Sequence, residues 1–488
     1  MTSVLHHRPH APATDGVAAR LEEALRPFIG GDLPVRLVAW DGSVAGPEDS
    51  PVVELRSPEA LRRLLWHPGE LGAAQAYVTG ELDVPGDLDA ALTHAFAVAK
   101  ERGLSGRRPP VRALAGAVRT AFGLDLIGRP PAPPATQARI RGRLHSKDRD
   151  RSAISHHYDT TADFYSLILD EETMAYSCGY HASADQPLAE AQHAKLDLVC
   201  RKLGLEPGMR LLDVGCGWGS LSLHAAEQFG ARVVGVTISA EQKRFAEAAA
   251  RRRGLTDLVE FRLCDYRDAV PHRGAEPPSA GDRRRERREA GAMARRRSEG
   301  GLVAPSTDGN AVSAPASRRA ADGRRGTEAL YDAVASLEMG EHVGQANYAT
   351  YAQVLHDAVR PGGRVLVQQM SRTGRWPGGG PFIESFIAPD MHMRPVGETV
   401  ALLEASGLEA RDVHALREHY VLTVAGWLER FEANVDAITD LVGEELVRVW
   451  RLYLVGGSMA FRDGRMGVDQ VLLVRPGGPH GLPWTRSW

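Results

Sequence analysis

Asp213-Val214-Gly215-Cys216-Gly217-Trp218-Gly219 sets an acid and three glycines where a chain turns from strand into helix. Residues 211–214 read as a buried strand, 221–229 as a helix and 231–238 as a second strand. Strand, tight turn, helix and strand within about 30 residues make the βαβ unit of an open α/β sheet. Glycines at 215, 217 and 219 let the backbone approach a ligand at the carboxyl edge of that sheet. The spacing is G-x-G-x-G, which differs from the G-x-G-x-x-G of dinucleotide binders and favours S-adenosylmethionine over a nicotinamide cofactor. A glycine triplet alone also fits an ordinary strand–helix turn, so the flanking stretches decide.

Several such stretches carry reactive side chains. His156-His157-Tyr158-Asp159 is followed by Phe164-Tyr165 and by Met174-Ala175-Tyr176-Ser177-Cys178-Gly179-Tyr180. Val236-Thr237-Ile238-Ser239-Ala240-Glu241-Gln242 closes the second strand. Cys264-Asp265-Tyr266-Arg267-Asp268 follows a third strand, expected over 258–263 after a helix over 240–253. Ser336-Leu337-Glu338-Met339-Gly340-Glu341-His342-Val343-Gly344 ends a fourth strand, expected over 331–337. A helix over 348–359 then leads through Arg360-Pro361-Gly362-Gly363 into a fifth strand over 364–370. Helices over 396–405 and 423–443, a helical stretch through Trp450 and a last strand over 467–474 complete the core.

Composition bounds what these groups serve. The chain has 488 residues, 43% hydrophobic and 25% charged, with net charge −3, as in a globular protein of two or three domains. No apolar run approaches the roughly 20 residues that span a bilayer. The first ten residues carry histidines and no apolar core, unlike a secretory signal. Cys178, Cys200, Cys216 and Cys264 show no C-x-x-C spacing, so a reduced cytosolic setting without zinc or disulfides is expected.

The organisation reads as a disordered tail (1–20), a small α+β N-terminal domain (21–128), a Pro-rich and basic linker (129–151), a large α/β domain (152–475) and a tail (476–488). The small domain combines strands over 35–40 and 52–55 with helices over 58–66 and 88–100. The linker opens with Pro130-Pro131-Ala132-Pro133-Pro134, a stiff polyproline stretch. Its basic residues, from Arg139 to Arg151, are either a solvated helix face or a contact for anionic lipid headgroups. Residues 269–328 are rich in Arg, Ala, Gly and Pro, with Arg283-Arg284-Arg285-Glu286-Arg287-Arg288 as an example. Having little to bury, this segment reads as a disordered insertion or a stretch translated out of frame. It lacks the interleaved aromatics and folded context of a nucleic-acid arm.

Taken together with His419-Tyr420 and Trp427, these motifs resemble the cyclopropane-fatty-acyl-phospholipid synthase family over about 152–475, the insertion apart. The resemblance implies a class I S-adenosylmethionine-dependent methyltransferase fold, a Rossmann-like seven-stranded sheet with its last strand antiparallel, preceded by the small α+β domain. It implies methylation of a cis double bond in an unsaturated phospholipid acyl chain, in a cytoplasmic protein working at the membrane face. An alkene carbon takes the sulfonium methyl, a carbocation forms, and proton loss yields a cyclopropane or a methylene branch. For cofactor contacts it implies Tyr176, Ser177, Asp213, Gly215, Gly217, Gly219, Thr237, Ser239, Gln242, Asp265 and Tyr266. For catalysis it implies a bicarbonate ion as base, positioned by Cys178, Glu341 and Tyr420. Gln368 stands on the fifth strand where many members carry a histidine. Buried beside an anion, Glu341 is expected to titrate above the ordinary carboxylate range. The stretch from Phe386 to Pro395 resembles actinobacterial members that add a mid-chain methylene, later reduced by a partner flavoprotein; His392 is then a candidate pocket residue. The competing readings are methylation of another small acceptor, and a cofactor-binding relative without catalysis.

Overall fold

The computed structural model describes residues 16–104, 111–138, 162–269, 330–374, 377–486 and 488. The described residues through Ala269 and from Tyr331 onward gather into one compact unit. The Arg-rich segment expected over 269–328 falls outside the described residues save for Ala269, and so do the basic run from Arg139 to Arg151 and His156-His157-Tyr158-Asp159.

A seven-stranded sheet dominates. Its strands are β5 (Arg210–Val214), β6 (Arg232–Thr237), β7 (Val259–Leu263), β8 (Tyr331–Leu337), β9 (Val359–Arg372), β10 (Glu409–Ala415) and β11 (Met466–Val474), in the order β10-β11-β9-β8-β5-β6-β7. The five strands from β7 to β9 run parallel, while β11 is antiparallel to both β9 and β10. This is the open α/β sheet that the glycine turn implied, with the antiparallel last strand that the family resemblance implied. Strand order reverses between β5 and β8, which opens the crevice where such sheets bind ligands.

The strands form where runs of apolar residues are long enough to be covered on both faces. Leu211, Leu212, Val214, Val334, Ala335, Val365, Leu366 and Val367 are all fully buried. Helices Leu188–Leu203, Ser220–Phe229 and Ala240–Arg252 cover one side and pack Val199, Leu203, Leu223 and Ala246 into the core. On another side, helices Ala162–Ile168, Arg417–Ala433 and Glu444–Arg462 build a second core rich in aromatics: Phe164, Tyr165, Trp218, Tyr420, Trp427, Trp450 and Phe461.

Two elements differ from expectation for local reasons. β10, where no element was assigned from the sequence, is the mostly polar Glu-Ala-Arg-Asp-Val-His-Ala. It is an edge strand exposed along most of its length, so pairing with β11 rather than burial makes it a strand. The helix expected over 423–443 is two, Arg417–Ala433 and Val435–Val442, separated at Asn434.

The N-terminal part carries a small four-stranded sheet, β2-β1-β3-β4, from Arg36–Val38 (β1), Val44–Ala45 (β2), Val52–Leu55 (β3) and Leu82–Asp83 (β4). Its first helix, Val17–Ile29, starts within the stretch read as a tail. The Asp41 carboxylate and the Ser43 hydroxyl accept from the N–H groups of Val17 and Ala18 at 2.9 and 2.8 Å. Those caps are remote in sequence, so nothing near residue 17 announces the helix. Residues 129–138 are tied down: Thr136 N–H donates to the Glu445 carboxylate at 2.7 Å and Ala138 N–H to the Ser385 carbonyl at 2.8 Å. The C-terminal stretch is also held, by Arg364 donating to the His480 and Gly481 carbonyls.

Candidate active site

A cavity of about 160 Å³ opens at the carboxyl edge of β5, β6, β7 and β8. Tyr176, Ser177, Asp213, Gly215, Gly217, Thr237, Gln242, Asp265 and Tyr266 line it, nine of the eleven residues expected to hold the cofactor. Gly215 has φ +80°, and a Cβ there would stand 2.8 Å from Met339 Cγ, so only glycine lets the turn lie under the Glu338–Met339 segment. The Thr237 hydroxyl donates to Gln242 Oε1 at 2.9 Å, bringing the end of β6 and the next helix together. Asp265 is gripped by the Arg267 guanidinium at 2.6 and 2.7 Å. Trp218 is buried, and its Nε1 has no hydrogen-bond partner among the described residues, leaving a donor on the cavity wall.

Gly219 and Ser239 do not line the cavity. Gly219 heads the helix Ser220–Phe229, and a Cβ there would press on Ala246 and the Phe261 ring at 3.0 and 3.1 Å. Ser239 caps the helix Ala240–Arg252, its hydroxyl accepting from Gln242 N–H at 3.3 Å. Both serve packing and helix initiation.

Cys178, Tyr420 and Gln368 converge, and the group they meet is Glu338. Cys178 N–H and Gln368 Nε2 donate to Glu338 Oε1 at 2.8 and 2.7 Å, and the Tyr420 hydroxyl donates to Oε2 at 2.6 Å. Gln470 Nε2 donates to Gln368 Oε1 at 2.8 Å, which turns the Gln368 NH₂ toward the carboxylate. Cys178 contributes its backbone. Its thiol faces the Gly179 and Leu416 carbonyls, and burial holds that thiol well above the usual range. Glu338 itself lines the cofactor cavity.

Glu341 takes a different place. It is fully buried at the short 3₁₀ turn Gly340–His342, and its carboxyl meets no side-chain donor among the described residues. Burial first, then the charge of Glu338, push it up to about 8, as the sequence led us to expect for a buried acid beside an anion. The anion is Glu338. His392 N–H donates to the Glu341 carbonyl at 2.7 Å, and His392 is not on the cavity wall.

Sequence reading passed over Glu338 and Lys195. Glu338 follows directly on β8, at the sheet's carboxyl edge, and carries φ +51°, a conformation rare outside glycine. Lys195 belongs to the helix Leu188–Leu203, where its spacing with Ala191 and Val199 sets it on the buried stripe. A lysine in that stripe is the signal that could have found it. Its ammonium donates to Ser177 Oγ at 2.8 Å and its side chain lines the cavity. Burial lowers the Lys195 pKa, opposed by the charge of Glu338. Asp213, fully buried against Ser222 Oγ at 2.7 Å, is pushed up to about 6 by desolvation. Glu338 is raised by burial, a shift opposed by its hydrogen bonds from Tyr420, Cys178 and Gln368 and by Lys195.

Strand order, glycine turn and edge cavity together define a class I S-adenosylmethionine-dependent methyltransferase. Within that class, the chain belongs to the mycolic acid cyclopropane synthetase family, whose model matches residues 145–272 and 321–471. It is 33% identical over 466 residues to a probable fatty acid methyltransferase of Pseudomonas putida, covering 93% of this chain and 96% of that one. It is 32% identical over 471 residues to a probable fatty acid methyltransferase of Mycobacterium tuberculosis, covering 94% and 95%. Among solved structures, the mycolic acid cyclopropane synthase CmaA1 complexed with SAH and CTAB matches at 25% identity and a TM-score of 0.51, covering 66% of this chain and 98% of that one. Among the described residues no group of His, Cys, Asp and Glu is arranged to hold a metal ion, and no helix is long and apolar enough to cross a membrane.

Proposed function

We propose that the protein methylates a carbon of the cis double bond in an unsaturated phospholipid acyl chain, giving a cyclopropane or a mid-chain methylene branch. The observation that carries this reading is a hydrogen-bonded carboxylate, Glu338, on the wall of the cofactor cavity and beside an aromatic core. Bound in the cavity, S-adenosylmethionine supplies an electrophilic methyl group. Asp213, Thr237, Gln242, Asp265 and Tyr266 would hold it, and the Gly215–Gly217 turn gives it room.

A carbocation on the acyl chain survives only where water is excluded and a base is near. Tyr165 and Trp218 lie 5.3 Å apart between centroids, and Tyr176 and Trp427 5.1 Å, so aromatic faces are close to the reacting end. Such faces attract positive charge. The Tyr176 hydroxyl donates to the Tyr453 hydroxyl at 3.0 Å, which holds the Tyr176 ring in place.

A protein using this chemistry draws acyl chains from a bilayer, so we place it at the cytoplasmic membrane face. For the methylene product, a flavoprotein reductase acts next. The test incubates the protein with methyl-labelled S-adenosylmethionine and dioleoyl phospholipid vesicles, then resolves the fatty acids by gas chromatography and mass spectrometry. Label in the acyl fraction is expected, and ring and branch separate directly. Label confined to soluble acceptors would refute the lipid reading.

A further inference from the structure

The family resemblance brings with it a bicarbonate ion as base, held by Cys178, Glu341, Tyr420 and the strand-five residue at 368. The residues present do not fit a free ion. The donors of Cys178, Tyr420 and Gln368 all end on the two oxygens of Glu338, at 2.6 to 2.8 Å. Glu341 receives none of these donors and lies near enough for the charge of Glu338 to raise it. A bicarbonate added here would be one more anion beside two carboxyl groups, with the three donors already taken.

We infer that Glu338 is itself the base of this enzyme, its carboxylate replacing the dissociable anion. This rests on the lipid methyltransferase reading and deepens it. The backbone supports it independently. Glu338 holds φ +51°, where glycine is the relaxed choice, and strain of that kind persists where surroundings over-determine it. The conformation sets the side chain between Cys178 N–H on one side and Tyr420 on the other, while the residue borders the cofactor cavity. Gln368 fits the same scheme. A neutral amide donates to the carboxylate and neither takes up nor supplies the proton.

The balance of the step follows. The alkene's electron pair forms the new carbon–carbon bond as the sulfur–methyl bond breaks, leaving the positive charge on the neighbouring acyl carbon. A Glu338 oxygen takes one proton. If it comes from the transferred methyl, the freed C–H pair closes the ring; if from an adjacent chain carbon, it forms a double bond. Glu338 becomes a neutral acid and returns its proton to water after product leaves.

Glu338→Gly tests this well, because it removes the carboxylate at a backbone position that favours glycine. Assays use dioleoyl vesicles in buffer stripped of carbon dioxide, with carbonic anhydrase present. Wild-type rate is expected to stay level when bicarbonate is added. Glu338→Gly should lose about 100-fold or more of that rate, the upper part of the range for a general base being 10⁴, while keeping SAH affinity. Added bicarbonate or formate should restore part of it by filling the vacated space. Glu338→Gln, which fills that space with an amide, should be inactive with either anion. Stimulation of the wild type by bicarbonate, undiminished turnover in Glu338→Gly, or an SAH-binding Glu338→Gly that neither anion revives overturns the inference. A wild type that never methylates acyl chains refutes instead the function on which it rests.

Discussion

Tyr420, Gln368 and the Cys178 N–H spend their hydrogen bonds on one carboxylate, and that makes each of them measurable. Tyr420→Phe removes the 2.6 Å donor to Glu338 Oε2. A hydrogen bond to a charged group contributes roughly 1.5–3 kcal/mol, so kcat should fall between about tenfold and 100-fold. Donation by Tyr420 lowers the Glu338 pKa, so without it the acid limb of the pH–rate profile should move to higher pH. Glu341 tests the neighbouring acid through stability. Its folded pKa of about 8 lies above the reference value of 4.5, so the folded state keeps a proton that the unfolded state has released. Stability from this group is therefore lost as pH rises from about 4.5 toward 8, by an amount on the order of a few kcal/mol. Glu341→Gln removes that dependence. Its melting temperature should match the wild type near pH 4.5 and exceed it at pH 8; a constant difference across that range would refute the assignment.

At the scale of elements, the site depends on how each strand hands over to the next helix. Ser239 belongs to the handover from β6 to the next helix. It stands two residues after Thr237, yet its hydroxyl caps the helix Ala240–Arg252 and stays off the cavity wall. Ser239→Ala should cost about 1 kcal/mol of stability, the usual value of a lost N-cap, with SAH affinity unchanged by calorimetry. A large loss of affinity at unchanged stability would return Ser239 to the cofactor site. The fourth handover is the decisive one. β8 is read correctly from its apolar run, but the turn after it contains two glutamates three residues apart. Local sequence does not say which faces the cavity. The positive φ at Glu338 sends the first to the cavity and leaves the second buried behind it.

Over the whole molecule, the N-terminal sheet is fastened to the long helix Glu444–Arg462. Arg448 donates to the Asp83 carboxylate at 2.6 Å and to the Leu82 carbonyl at 3.0 Å, and stacks over the Tyr77 ring at 4.3 Å. Around it, Tyr77 and Leu88 pack on Val455 and Met459, while Ala74 and Val78 pack on Val449, Phe382 and Phe386. That helix also supplies Trp450, Leu454 and Phe461 to the aromatic core beside the site. Arg448→Ala removes one of the two cations on Asp83, Arg56 remaining, and the lost charged hydrogen bond costs about 1.5 kcal/mol. Calorimetry should show a lower melting temperature, with the early heat signal coming from the N-terminal part. An unchanged melt would mean the packed apolar faces suffice.

The glycine spacing, the apolar runs of β5, β6 and β8, and the order of motifs were enough to define the sheet and the cofactor edge, because period and turn chemistry are local properties. The family resemblance nominated Cys178, Tyr420 and Gln368, which do meet. What those three residues meet was decided only by the tertiary structure. Donors spread along the chain from Cys178 to Tyr420 converge on a carboxylate whose direction is set by one backbone angle. No local pattern encodes that angle. It persists because the surrounding hydrogen bonds are satisfied only when Glu338, and not Glu341, turns toward them.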